Sequence, residues 1–162
     1  MKKSLKIIVI VSKYVLLVCI ILFVAIIFFN VGDSNKSFEI VEKELRQTLD
    51  LENLTDCSSQ ELKRYYSLNS EDYAATMLLT AEESMSAEEI LLIKVKEQSQ
   101  LEEIEAAVSK RLESRITDFG TYAPEQTALL EAAEVTMRGD YVFLAVSEHA
   151  EEYREVFIKS LF

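Results

Sequence analysis

Residues 14 to 31, "YVLLVCIILFVAIIFFNV", form an almost wholly apolar run without a single charge. No other stretch constrains the chain so strongly. Eighteen helical residues rise about 27 Å, close to the hydrocarbon thickness of a bilayer. Lys2, Lys3, Lys6 and Lys13 lie on the N-terminal side of the run, and Asp33 lies beyond it. That asymmetry predicts a single-pass signal-anchor with a cytoplasmic N-terminus and everything after it outside the cell membrane. A cleaved signal peptide is the rival. Its apolar region is shorter, and "FFNVGDS" is not the A-x-A pattern of a cleavage site. The chain therefore reads as an anchor (1–31), a short polar tether (32–37) and one extracytoplasmic domain (38–162).

All 28 acidic residues follow the apolar run, against 13 of the 17 basic ones, so the remainder carries −15 where the whole chain carries −11. A domain this acidic repels phosphate backbones, which argues against a nucleic-acid partner. The same segment is rich in regularly spaced apolar residues and has only three glycines and one proline in the chain. It should fold into regular elements with few long loops.

Phe38, Val41, Leu45 and Leu49 are spaced for an amphipathic helix to about residue 51, with Ser37 as its expected N-cap. Ser58 and Glu61 fit a capping box that opens a short helix over "SSQELKRYY". "YAATMLLT" (73–80) and "ILLIKVK" (90–96) read as strands; in the second, Leu91, Ile93 and Val95 are expected on the buried face and Leu92, Lys94 and Lys96 on a wetter one. Leu101, Ile104, Val108, Leu112, Ile116 and Phe119 mark a long helix from Gln98, ended by Gly120. Pro124 opens another short helix. Val135–Arg138 and Tyr141–Val146 read as a strand pair. Ser147 is expected to cap a last helix with the stripe Ala150, Tyr153, Phe157, Leu161. This order predicts an α+β domain, an antiparallel sheet of about four strands in ββα-ββα order with helices mostly on one face.

Arg138-Gly139-Asp140 matches a tripeptide that adhesion receptors recognise, but only Gly139 and Asp140 separate two strands. The stretch is read as a two-residue hairpin loop that needs positive φ.

"RLESRITDFGTYAPEQTALLEAAEVTMRGDYVFLAV" resembles the C-terminal half of a family of small membrane- or lipid-anchored, mostly Gram-positive bacterial proteins known as a domain of unknown function. Arg111, Phe119, Tyr122, Pro124, Glu125, Gln126, Gly139, Tyr141 and Val142 carry the resemblance, which extends over about residues 60–162. Arg115 departs from the family pattern, which has glutamine there. The resemblance implies an extracytoplasmic domain on an anchor. The family's association with membrane-bound O-acyltransferases of cell-surface polymers implies the alternative reading, an accessory subunit or minor catalyst of envelope-polymer modification such as O-acylation.

No constellation for catalysis emerges from the residues. His149 is the sole histidine and is expected on the surface among glutamates, with no Gly-x-Ser-x-Gly elbow and no phosphate loop. Cys57 has no adjacent His or Lys to activate it. Glu82, Glu83, Glu88 and Glu89 are expected to be solvated rather than metal-binding, and neither cofactor nor metal is expected. Two surfaces stand out as binding candidates. One is the turn Tyr122, Pro124, Glu125, Gln126; the other is the acidic ridge Glu148, Glu151, Glu152, Glu155, a docking face for a basic partner. The leading expectation is a non-catalytic binding or assembly module whose partner is another envelope protein or a surface polymer.

Overall fold

The computed structural model describes residues 13–21, 36–50 and 52–162. The chain divides into two units, Met1–Asp33 and Ser34–Phe162. In the first, residues 13–21 are helical (α1) and exposed along their length. Among the described residues no helix is long and apolar enough to cross a membrane. The expected span 14–31 is described only as far as residue 21; its remainder, and tether residues 32–35, lie outside the described residues.

In the second unit Arg138 pairs with Tyr141 and closes the hairpin of β4 (Glu134–Arg138) and β5 (Tyr141–Val146). Gly139 has φ 58°, while Asp140 is not among the residues of positive φ. Positive φ at the first central position alone is the II′ pattern, whose twist matches that of the flanking strands. The Asp140 carboxylate is held 3.3 Å from Lys94 Nζ, so the tripeptide is a corner of the sheet.

β2 (Ala75–Ala81) and β3 (Glu89–Lys94) form a second hairpin, and β3 pairs with β5. A further strand, β1 (Leu54–Asp56), borders β2. The sheet therefore has five antiparallel strands in the order β1-β2-β3-β5-β4, not about four.

The sheet is covered on both faces, which corrects the expectation of helices mostly on one. Leu78, Leu91, Ile93, Val142 and Leu144 meet α3 (Ser59–Tyr66), α4 (Leu101–Phe119) and α5 (Pro124–Glu131) through Leu62, Tyr66, Ile104, Val108, Phe119 and Leu130. On the opposite face Met77, Leu79, Ile90, Leu92, Tyr141 and Phe143 meet α2 (Phe38–Thr48) and α6 (Ala150–Ser160). There Phe143 stacks on Phe157 with centroids 4.8 Å apart, and Tyr141 meets the same ring edge-on at 6.3 Å. Leu92, expected on a wetter face, is fully buried in that second layer.

The helix ends follow local chemistry with two differences. Ser58 and Glu61 form the expected reciprocal capping box, with Ser58 N–H donating to Glu61 Oε2 at 2.8 Å. Ser37 holds the N-cap position of α2 but makes no capping hydrogen bond. The N-cap of α6 is His149 rather than Ser147, whose hydroxyl accepts the His149 N–H at 3.2 Å and so orders the turn before the helix.

Candidate functional site

Side chains alternate along a strand, so Glu89 points to the same face as Leu91 and Ile93 and faces α3 and α4. It is 2% exposed, which corrects the expectation that the acidic run 82–89 is solvated throughout. A buried carboxylate is tolerable only when paired and hydrogen-bonded. Arg111 supplies the pairing from α4: Nη2 donates to Oε2 at 2.7 Å and Nε to Oε1 at 3.2 Å. Tyr66, at the end of α3, donates its hydroxyl to Oε1 at 2.5 Å. The guanidinium also lies 4.4 Å from the Tyr65 ring centroid. Burial, followed by the Glu89 charge, pushes the Tyr66 phenol well above its ordinary range. Burial opposes the charge on Arg111, but its bonds to Glu89 outweigh that and raise its pKa. The triad ties β3, α3 and α4 together, with hydrogen bonds on both carboxylate oxygens.

One turn further along α4, Arg115 donates to the Ser86 carbonyl at 3.0 Å and lies over the Phe119 ring at 4.6 Å. Burial and the neighbouring Arg111 lower its pKa. Gln126 of α5 accepts the Ala87 N–H at 2.7 Å. The β2–β3 loop is therefore gripped by Arg115 and Gln126, and at its end Ser147 donates to Glu88 Oε1 at 3.4 Å.

This corner accounts for several residues that carry the family resemblance. Arg111 and Gln126 brace it, Phe119 is buried in it, and the Tyr122 ring meets Phe119 at a tilt, with centroids 5.6 Å apart, while remaining 56% exposed. Pro124 and Glu125 are exposed beside it. Of the four candidate binding residues on this turn, three face solvent and Gln126 spends its amide oxygen internally. Glu148, Glu151, Glu152 and Glu155 are all exposed on or just before α6; Glu155 pairs with Lys159 at 3.1 Å, and Glu152 lies 3.9 Å from His149.

Cys57 lines a polar cleft of about 220 Å³ with Arg46, Asp56, Ser58 and Ser59, and its thiol lies 3.1 Å from Thr80 Oγ1. Burial raises its pKa, the direction of an unreactive thiol. Among the described residues no group of three or more His, Cys, Asp and Glu is placed to hold a metal ion.

Sequence reasoning missed Glu89 because its neighbours Glu82 and Glu83 are solvated and its partner lies 22 positions away. One signal was present. Arg111 directly precedes Leu112 of the buried stripe, so its side chain borders the core and needs an acid there.

The second unit is an α+β domain with a five-stranded antiparallel sheet between two helical layers. The chain belongs to the family described as domain of unknown function (DUF4358), whose model matches residues 47–147. The match contains every strand, α3 to α5 and the whole Glu89 triad. No curated protein and no solved structure matches the chain.

Proposed function

We propose that the chain is a membrane-anchored, extracytoplasmic binding or assembly module of the bacterial cell envelope, and that it works without catalysis. The observation that carries this reading is the division of labour at the α4–α5 corner. The buried carboxylate of Glu89 is occupied by Arg111 and Tyr66, an arrangement suited to rigidity rather than proton transfer. The brace leaves Tyr122, Pro124 and Glu125 outward on an ordered turn. An exposed tyrosine on a rigid base is suited to a contact surface, because it contributes area at low conformational cost. The apolar run 14–31, with lysines on one flank, supports the anchor and the outward orientation.

A photo-crosslinking phenylalanine analogue in place of Tyr122, activated in intact cells, tests the reading. The expected product is a discrete adduct with one envelope component, diminished by Glu125→Lys. Adducts only with abundant bystanders, unchanged by Glu125→Lys, would refute it.

A further inference from the structure

The sheet ends on β4, and the direction of its backbone groups follows from the ladder. Val95 N–H donates to Asp140 O at 2.8 Å, and β3 pairs with β5 in the same register. Even-numbered residues of β5 therefore bond to β3, and odd-numbered ones bond to β4. Because Arg138, Thr136 and Glu134 oppose Tyr141, Phe143 and Ala145, these three turn their backbone groups inward. Those of Val135 and Met137 point away from the sheet. The edge carries no proline or lysine, the residues that commonly blunt such edges. Two of the exposed large apolar side chains flank it: Val135, 38% exposed, and Phe162, whose ring lies 5.9 Å from the Arg138 guanidinium.

We infer that β4 is a self-association edge, on which a second copy of this chain adds its own β4 antiparallel about a two-fold axis at Thr136. The strand is complementary to itself in that register alone. Glu134 of each copy opposes Arg138 of the other, and Thr136 opposes Thr136. Val135 and Met137 of the two copies exchange all of their outward N–H and C=O groups. Centring the axis on Val135 or Met137 sets neither charge opposite its counterpart. With the axis at Thr136, the charged pairs occupy non-hydrogen-bonded positions, where opposed Cα atoms are about 4.5 Å apart and side chains lie closest.

The layers permit this approach. Arg154 of α6 reaches Glu134 at 3.2 Å, and α6 packs over β4 and β5. Strands about 4.8 Å apart then set the two α6 helices roughly 10 Å from each other, an ordinary helix-packing distance. The result is one continuous sheet of twice five strands. This goes beyond the reading of the Tyr122 surface, which lies on the α4–α5 turn.

The test uses the full chain in mild detergent, with Cys19 and Cys57 changed to serine. Sedimentation across a dilution series should show a monomer–dimer equilibrium. Thr136→Cys should form an interchain disulfide on mild oxidation, since about 4.5 Å between Cα atoms lies within the range a disulfide spans. Val135→Cys, offset from its counterpart, should form far less. Arg138→Glu should weaken association on the order of tenfold by setting like charges opposite, and adding Glu134→Arg in the same chain should restore it. Val135→Pro removes only an outward N–H and should also weaken the dimer, which keeps the test available if Arg138→Glu disturbs the hairpin. A monomer at every concentration would overturn the inference. So would a dimer indifferent to Arg138→Glu and Val135→Pro and uncrosslinked at position 136. A photo-crosslinked adduct of twice the chain mass from position 122 would show that the copies meet at another surface, and would equally overturn it.

Discussion

Replacing Arg111 by methionine keeps most of the side-chain volume and removes the charge that neutralises Glu89. The carboxylate is 2% exposed, so water cannot replace the guanidinium without the α4 layer lifting from the sheet. Leaving one member of a buried pair unmatched costs about 3–5 kcal/mol. That is a large share of the roughly 5–15 kcal/mol that holds a domain folded. Tyr66 limits the damage little, because its hydroxyl gives one hydrogen bond to one oxygen. The reverse change, Glu89→Met, should cost less. Arg111 retains 14% side-chain exposure and can turn its head towards solvent along the Tyr65 ring. Replacing the whole triad, Tyr66→Phe with Glu89→Met and Arg111→Met, should return stability to within about 2 kcal/mol of the wild type, because buried ionic groups are often matched by well-packed apolar ones. The assay is urea unfolding of the full chain in mild detergent. The chain has no tryptophan, so tyrosine circular dichroism is the probe. An Arg111→Met protein that unfolds within about 1 kcal/mol of the wild type would refute the brace, as would a triple variant no more stable than Arg111→Met.

Three further outcomes follow from the same geometry. Tyr66 is raised well above 10.0 by burial and by Glu89, and burial pushes Tyr73 up to about 12. Groups raised in the folded state contribute stability that is complete below the unfolded pKa of about 10 and lost as pH rises through the folded value. The wild type should therefore weaken steadily above pH 10, and Tyr66→Phe should flatten that loss in the same urea experiment. Gly139→Val places a β-branched residue at φ 58° and should cost on the order of 2 kcal/mol, seen as a lower thermal midpoint. Phe157→Ala removes the ring that stacks on Phe143 and should cost about 3–5 kcal/mol, with early loss of hydrogen-exchange protection in β5 and α6.

The elements most legible in the sequence are those with an unbroken period or a specific turn. The Phe38–Val41–Leu45 spacing, the α4 stripe and the Gly139 hairpin all match the structure. β1 escaped because three residues, Leu54, Thr55 and Asp56, cannot show a period, and their strand character comes from pairing with β2. The second helical layer was also missed, although "ILLI" in β3 is apolar on both parities, as a strand covered on both faces must be. Ser147 was legible as a turn residue but not in its position, since a serine two residues before the N-cap looks locally like the cap itself. At the α4–α5 corner the sequence displayed Tyr122, Pro124 and Glu125. The partners of Gln126 and Arg111 come from β3 and the loop before it, at separations of 39 and 22 residues, where only the fold brings them together.

The orientation of the acidic domain bears most directly on the proposed function and can be measured in one step. Glu105, exposed on α4 and facing away from the sheet, is changed to cysteine in a chain whose Cys19 and Cys57 are serine. Intact cells are then treated with a membrane-impermeant thiol reagent. Full labelling of intact cells, matching that reached after lysis, is expected. Labelling that appears only after lysis would place the domain inside the cell and contradict the outward orientation.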